Sequence, residues 1–251
     1  MDTLTTALTP TEEATLDRAA DAYLAAKGKL MGRLEQAGAL LQSGLHRLPS
    51  GIQKAVADRA RDGLELGFRT AILGLDPDAA KRAATGNYKL GGMASGFIGG
   101  FGGFATTLAE LPVTTMLIMR SVADIAREEG LPLTDPEVRA ACIEVFAFGG
   151  PLEEDDDADL AFWGARLAGR EVASLVLTVA TRYAPALLTK LAGQAVPLMG
   201  GAVGAGLNLL YMEFYQRMAR VVFALLPLER AHGRAILRAE FARRVAARRR
   251  R

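Results

Sequence analysis

Cysteine, histidine and tryptophan are nearly missing from this chain: one, two and one respectively in 251 residues. With Cys142 alone, no intrachain disulfide can form and a cysteine-ligated structural zinc site is excluded. His46 and His232 are far apart in sequence, and no His-Glu-x-x-His pair exists to hold a catalytic zinc. There is no Gly-x-Ser-x-Gly elbow, and Ser95 and Ser174 have no histidine near them in sequence. Aromatic residues are 6%, and the β-branched alternation that a sheet needs is absent. The first residues, MDTLTTALTPTEEATLDR, lack a basic n-region and an apolar h-region, so no secretory signal is expected and a cytoplasmic location is the default. Charge, too, is missing locally: Leu90–Ala109 and Leu191–Met212 contain none.

What is abundant is alanine, leucine, arginine and glycine, in a chain half hydrophobic and 23% charged. That composition belongs to a globular helical protein with small residues at its contacts. The stretch Lys89–Asp124 concentrates the glycines, at positions 91, 92, 96, 99, 100, 102 and 103. Gly92, Gly96 and Gly100 recur every fourth residue, which on a helix makes a groove without side chains along one face. Each glycine costs a helix about 1 kcal/mol relative to alanine, so close backbone packing is expected to offset the loss. A second such segment carries Gly200, Gly201, Gly204 and Gly206, with Asn208 as its strong polar group. The two are expected to dock on each other. The uncharged length could also cross a bilayer, but its glycine, alanine, serine and threonine content makes it a weak inserter. A buried hairpin in a bundle and a partly membrane-embedded hairpin therefore both stay open. A phosphate loop does not, because no glycine run ends in Gly-Lys-Ser/Thr.

Helical periodicity organises the rest. Thr9-Pro10-Thr11-Glu12 is a capping box opening a long apolar stripe from Leu16 to Leu48, and Pro49-Ser50-Gly51-Ile52-Gln53 opens a second helix through Ile72. The pair reads as an amphipathic hairpin. Glu110-Leu111-Pro112 is expected to end the glycine segment and start a new helix, on which Arg120 and Asp124 stand one turn apart as an ion pair. Asp135-Pro136 caps a helix through Phe148, while Pro185 and Pro227 read as helix stops. Glu110, an acid beside a proline in an apolar region, reads first as a paired structural charge and second as a proton- or ligand-handling carboxylate. Glu153, Glu154, Asp155, Asp156, Asp157 and Asp159 lack EF-hand spacing and read as a solvated acidic run before a helix. From Arg230 to Arg251 nine arginines face one acid, Glu240, a local charge of +8 against −6 for the remainder.

Three blocks resemble the EcsC protein family across 90–238. The first is the glycine run with ELPVTTMLIMRSVADIA, where Glu110 stands in place of the family's more usual aspartate. The second is VFAFGGPLEEDDDADLAFWGAR, with Asp157, Trp163 and Arg166 in family-like positions. The third is VPLMGGAVGAGLNLLYMEFYQRMAR followed by LER, with Asn208, Met218, Ala219 and Arg220. The resemblance implies a link to membranes and secretion, beside an ABC-type transporter, and some relatives carry a peptidase label that these residues support little.

The expectation is thus an all-α multi-helix bundle with two closely packed glycine-rich segments. It divides into an N-terminal hairpin (1–80), an EcsC-like helical domain (81–238) and a basic tail (239–251). Its function reads as non-enzymatic and membrane-associated, lipid-binding or accessory to a membrane transport complex. No cofactor is called for. Candidate lipid or ligand residues are Gly92, Gly96, Gly100, Glu110, Pro112, Arg120, Asp124, Arg166, Gly200, Gly204 and Asn208. Arg243, Arg244, Arg248, Arg249, Arg250 and Arg251 are candidates for contact with an anionic inner leaflet. The alternative is a hydrolase using carboxylates or a metal. Nucleic acid ranks last as a partner, since no aromatic residues interleave with the arginines.

Overall fold

The computed structural model describes the backbone of residues 8–45, 48–49, 51–75, 82–101, 104–151, 156–166, 172–194 and 200–250. Side chains are described for these except 29–45, 101, 104, 156–158, 165–166, 172–173, 194 and 200. The described residues form helices α1 (Pro10–Leu45), α2 (Ile52–Thr70), α3 (Thr85–Phe101), α4 (Phe104–Glu128) and α5 (Pro136–Glu144). A 3-10 turn over Val145–Phe148 follows, then α6 (Asp156–Arg166), α7 (Val172–Gln194), α8 (Gly200–His232) and α9 (Arg234–Arg249). The protein is an all-α multi-helix bundle.

Local rules set several boundaries. Thr9 and Glu12 make the reciprocal capping box, with Thr9 N donating to Glu12 Oε2 at 2.8 Å and Glu12 N to Thr9 Oγ1 at 3.3 Å. Asp135 accepts from Glu137 N at 2.8 Å ahead of Pro136. At α2 the expected side-chain cap is replaced by Gly51, which enters at φ 82° without a side-chain bond. The proline stops do not hold. Pro112 lies inside α4, Pro185 inside α7 and Pro227 inside α8. Each removes one N–H from the ladder, and flanking residues buried among other helices keep the helical path: Leu111, Ala186, Leu187 and Leu226 are all fully buried or nearly so. The break in the glycine segment falls between α3 and α4 instead, ten residues before Pro112.

α8 is the central helix, and among the described residues its contact with α3 is the most extensive. α3 also packs on α4, so α3 lies across the α4–α8 pair as an outer layer. On the other side α7 meets α1, α2, α4 and α8, while α9 closes against α1, α6 and α8. α1 and α2 share α7 as a partner; α1 also packs on α8 and α9, and α2 on α4 and α5. An aromatic core of Phe146, Tyr183 and Tyr215 joins α7 to α8, with Phe146 stacked on Tyr215 at 4.8 Å between centroids. Trp163, Phe148, Tyr23 and Phe241 form a second cluster between α1, α6 and α9. Gly149, at φ 64°, turns the chain between the 3-10 turn and the loop, and its carbonyl accepts the Tyr215 hydroxyl.

The two glycine segments meet as the spacing predicts. A Cβ on Gly96 would stand 2.3 Å from Gly204 O and 2.6 Å from Asn208 Nδ2. Gly63 and Gly67 of α2 do the same work against α4, where a Cβ would come within 2.8 Å of Thr115 Cβ and 2.9 Å of Met119 Cβ. Gly96→Ala is therefore expected to destabilise by about 1–3 kcal/mol, even after the helix gains about 1 kcal/mol in propensity. Gly91→Ala, with nothing within 4 Å of its added methyl, should keep that propensity gain and stabilise. Urea melts of the two variants would show shifts of opposite sign.

Candidate functional site

Under α3 lies a polar knot that draws residues from four helices. Glu110 on α4 is 8% exposed, Lys190 on α7 and Asn208 on α8 are fully buried, and Ser95 on α3 is half-buried. Lys190 Nζ donates to Glu110 Oε2 at 2.9 Å and to Thr114 Oγ1 at 3.1 Å. Ser95 Oγ donates to Glu110 Oε1 at 2.6 Å, Asn208 Nδ2 donates to the same oxygen at 2.9 Å, and the Thr114 hydroxyl also reaches it. Asn208 Nδ2 further bonds Gly92 O at 2.7 Å, which pins α3 to α8 where glycine lets them approach. Asn208 Oδ1 has no protein partner. Burial alone would push the Glu110 carboxyl up, but the Lys190 ammonium and the hydroxyls of Ser95 and Thr114 reverse this and leave it below its usual range. Burial pulls Lys190 down, and Glu110 recovers only part of that loss. The pair is neutralised, with Oε1 taking Ser95, Thr114 and Asn208 and Oε2 taking Lys190.

Its effect is to remove charge from the surface above. α3 from Leu90 to Phe101 has no charged residue, α4 from Phe104 to Met119 has only Glu110, and α8 from Gly200 to Met212 has none. The outward positions of the three helices are Leu90, Ala94, Phe97 and Ile98 on α3, Ala105, Ala109 and Val113 on α4, and Ala202 and Gly206 on α8. Leu90 is 67%, Phe97 48% and Ile98 72% exposed. The hydroxyls of this face turn inward: Thr106 Oγ1 donates to Gly99 O at 2.7 Å and Thr107 Oγ1 to the same carbonyl at 3.1 Å. Among the described residues no helix is long and apolar enough to cross a membrane.

The structure thus gathers Gly92, Gly96, Glu110, Gly204 and Asn208 into one site, with Gly100 buried beside them and Pro112 on the same helix as Glu110. Gly200 opens α8 and Arg166 ends α6, and their side-chain surroundings lie outside the described residues. Arg120 and Asp124 do not pair with each other as expected. Arg120 Nη1 caps α2, donating to Ala71 O at 3.3 Å and Leu73 O at 2.6 Å. Asp124 takes Arg127 at 2.7 Å and accepts the Ala84 N–H at 2.7 Å ahead of α3. The orphan carbonyls at the end of α2 draw Arg120 away, and Asp124 pairs within α4 with Arg127 instead.

The charged runs are also resolved differently. Asp159, the last acid of the acidic run, is buried between Lys27, at 2.6 Å, and Arg182, and the other five acids lie outside the described side chains. Burial raises the Asp159 carboxyl, with both cations opposing it. The basic tail is a docked helix rather than a frayed end. Arg244 meets Asp17 at 2.8 Å and Glu240 at 2.7 Å, and Arg248 meets Asp17 at 2.8 Å and Asp21 at 2.7 Å. Arg243, 77% exposed at its side chain, pairs with Glu240, while Arg249 and Arg250 complete the helix end and Arg251 lies outside the described residues. No three His, Cys, Asp or Glu side chains are grouped to hold an ion among the described residues. Sequence reasoning missed Lys190, the partner of Glu110. Its signal was available, since Lys190 is the lone charge between Tyr183 and Gln194.

No curated protein and no solved structure matches the chain. A family model described as the EcsC protein family matches residues 75–225, a span that opens just before α3 and closes within α8 and so contains the whole polar knot. That match covers more than half of the sequence, and the chain belongs to the EcsC protein family.

Proposed function

We propose that this protein is a non-enzymatic, membrane-associated helical protein that binds lipid without spanning the bilayer. The observation that carries the reading is the exposed, charge-free outer side of α3, where Leu90, Phe97 and Ile98 face outward while Gly92, Gly96 and Gly99 face in. Solvent-exposed apolar patches of this kind mark protein or membrane contact. Of the carboxylates a hydrolase could use, Glu110, Asp124 and Asp159 are each engaged by a cation and by a further donor, and the other acids of the run from Glu153 to Asp157 lie outside the described side chains. The basic helix α9 contributes less attraction to a membrane than its formal charge, because Asp17, Asp21 and Glu240 neutralise much of it. Arg243 and Arg250 remain directed to solvent and add to the attraction for an anionic surface.

Vesicle flotation of the purified chain tests the reading, with the protein expected in the lipid fraction. Ile98→Asp changes an exposed side chain and should leave the melting curve within about 0.5 kcal/mol of the parent. It should weaken flotation by about tenfold or more, since burying an isoleucine is worth about 1.5–3 kcal/mol. Equal flotation of parent and variant would remove α3 from the contact, and no flotation of the parent would end the proposal.

A further inference from the structure

We infer that the α4–α3–α8 face lies flat on an anionic bilayer, with α3 in the interfacial plane and a rim of cations at its edge. This rests on the membrane reading above and names the surface, its orientation and the lipid charge. α3 runs antiparallel to both neighbours, because Gly96 meets Gly204 where Gly92 meets Asn208 and Met212, and Gly99 meets Glu110. The three outward stripes therefore lie side by side. Each is uncharged for about 18 Å or more, at 1.5 Å per residue.

The first charge past the end of each stripe is Lys89 on α3, Arg120 on α4 and Glu213 on α8, followed one turn on by the exposed Arg217, while Arg82 is exposed just ahead of α3. Glu213 is matched by Lys89 at 3.2 Å. Arg120 is taken up by the carbonyls at the end of α2, so the charge of the rim is that of the exposed Arg217 and Arg82, which suits lipid phosphates and anionic headgroups. Flatness follows from the flank. α2 runs parallel to α4, with Gly63 against Thr115 and Gly67 against Met119. Its Arg59, Arg61, Asp62 and Glu65 stand level with the uncharged part of α4, largely exposed. An end-on insertion would drag those charges into hydrocarbon, whereas α3 lies on the side of α4 that α2 does not cover.

A second copy is a poorer occupant. Three helices about 9 Å apart and about 18 Å long offer on the order of 400 Å², against roughly 800 Å² per partner in a stable protein interface.

Single cysteines carrying an environment-sensitive dye test the orientation in the full chain. Cys142 does not compete, being buried with its thiol pushed up to about 12. Dyes at Leu90→Cys, Ile98→Cys and Ala202→Cys should be quenched by brominated lipid and shielded from aqueous iodide, with the Leu90 and Ile98 sites at one depth. A dye at Leu177→Cys, on the exposed side of α7, should stay open to iodide. Arg217→Ala should weaken binding to phosphatidylserine vesicles about fivefold and leave the weaker binding to zwitterionic vesicles unchanged. If the protein floats but Ile98 sits about 12 Å deeper than Leu90, or Leu177 is the quenched site, the flat orientation is overturned and the membrane reading survives. If the parent does not float, or self-association alone shields the three sites, both fall.

Discussion

Lys190→Met is expected to destabilise the protein by about 3–5 kcal/mol, the cost of leaving a buried charge without its partner. The size follows from burial: Lys190 is fully buried, and the Glu110 carboxylate it serves is 8% exposed. Removing the ammonium leaves Ser95, Thr114 and Asn208 to hold an anion in a nearly dry site. The double variant Lys190→Met with Glu110→Gln removes both charges and keeps an oxygen and an amide among the same hydroxyls. It should recover most of the loss, as paired replacement of buried ions does elsewhere.

The pH dependence carries the opposite sign in parent and single variant. In the parent, Glu110 titrates below its ordinary value of 4.5. Its stabilising share is therefore complete above that value and fades as pH falls through the lowered one. Without Lys190, burial governs and the carboxyl rises above its ordinary value. The penalty is then full at neutral pH and relieved as pH falls through the raised value, where the carboxyl protonates. Urea melts at pH 7 and pH 5 should show the gap between parent and Lys190→Met shrinking at the lower pH. A gap of equal size at both would mean that the lost ammonium acted through packing alone.

This pair also shows what could and could not be read beforehand. Four-residue glycine spacing in two uncharged segments has few structural uses besides close helix contact, so the Gly96–Gly204 approach was legible. Glu110 was legible as a paired charge, since an unpaired one would be too costly in that setting. Its partner was harder to assign: Lys190 is the lone charge between Tyr183 and Gln194, but Pro185 read as a stop sets its segment apart from a buried helix. All three misplaced helix ends share that cause. Local rules count the N–H a proline removes, but not the burial of Leu111, Ala186 or Leu226, which holds the helix through it. The docking of the basic tail on α1 was not legible for a related reason. Charge was summed along α9 alone, while its Arg244 and Arg248, four residues apart, match Asp17 and Asp21, four residues apart on α1. The match appears only when two distant helices are set side by side.

The second large effect is expected at Arg238, outside the family-matched span. Its guanidinium donates through Nε to Glu229 Oε1 at 2.7 Å, through Nη2 to Glu144 Oε2 at 2.6 Å, and through Nη1 to Trp163 O at 2.7 Å. It also lies 4.0 Å from the centre of the Trp163 ring. All three charged side chains are 1–2% exposed. Burial lowers the guanidinium's hold on its proton, but the two carboxylates more than compensate and raise it. Glu229, which burial raises against the pull of Arg238, shows how little slack the cluster has. Arg238→Met should therefore cost about 3–5 kcal/mol, lowering Tm on the order of 10 °C for a chain of this length. Arg234, at 3.0 Å from Glu229 and 3.4 Å from Glu144, keeps the two acids from being wholly unpaired. Arg238→Lys separates charge from geometry. A single ammonium cannot reach two carboxylates and a carbonyl while lying over the indole, so the lysine variant should fall between parent and methionine. If lysine restores full stability, the cluster needs only a positive charge; if it melts with methionine, the planar fork is what joins α5, α6, α8 and α9.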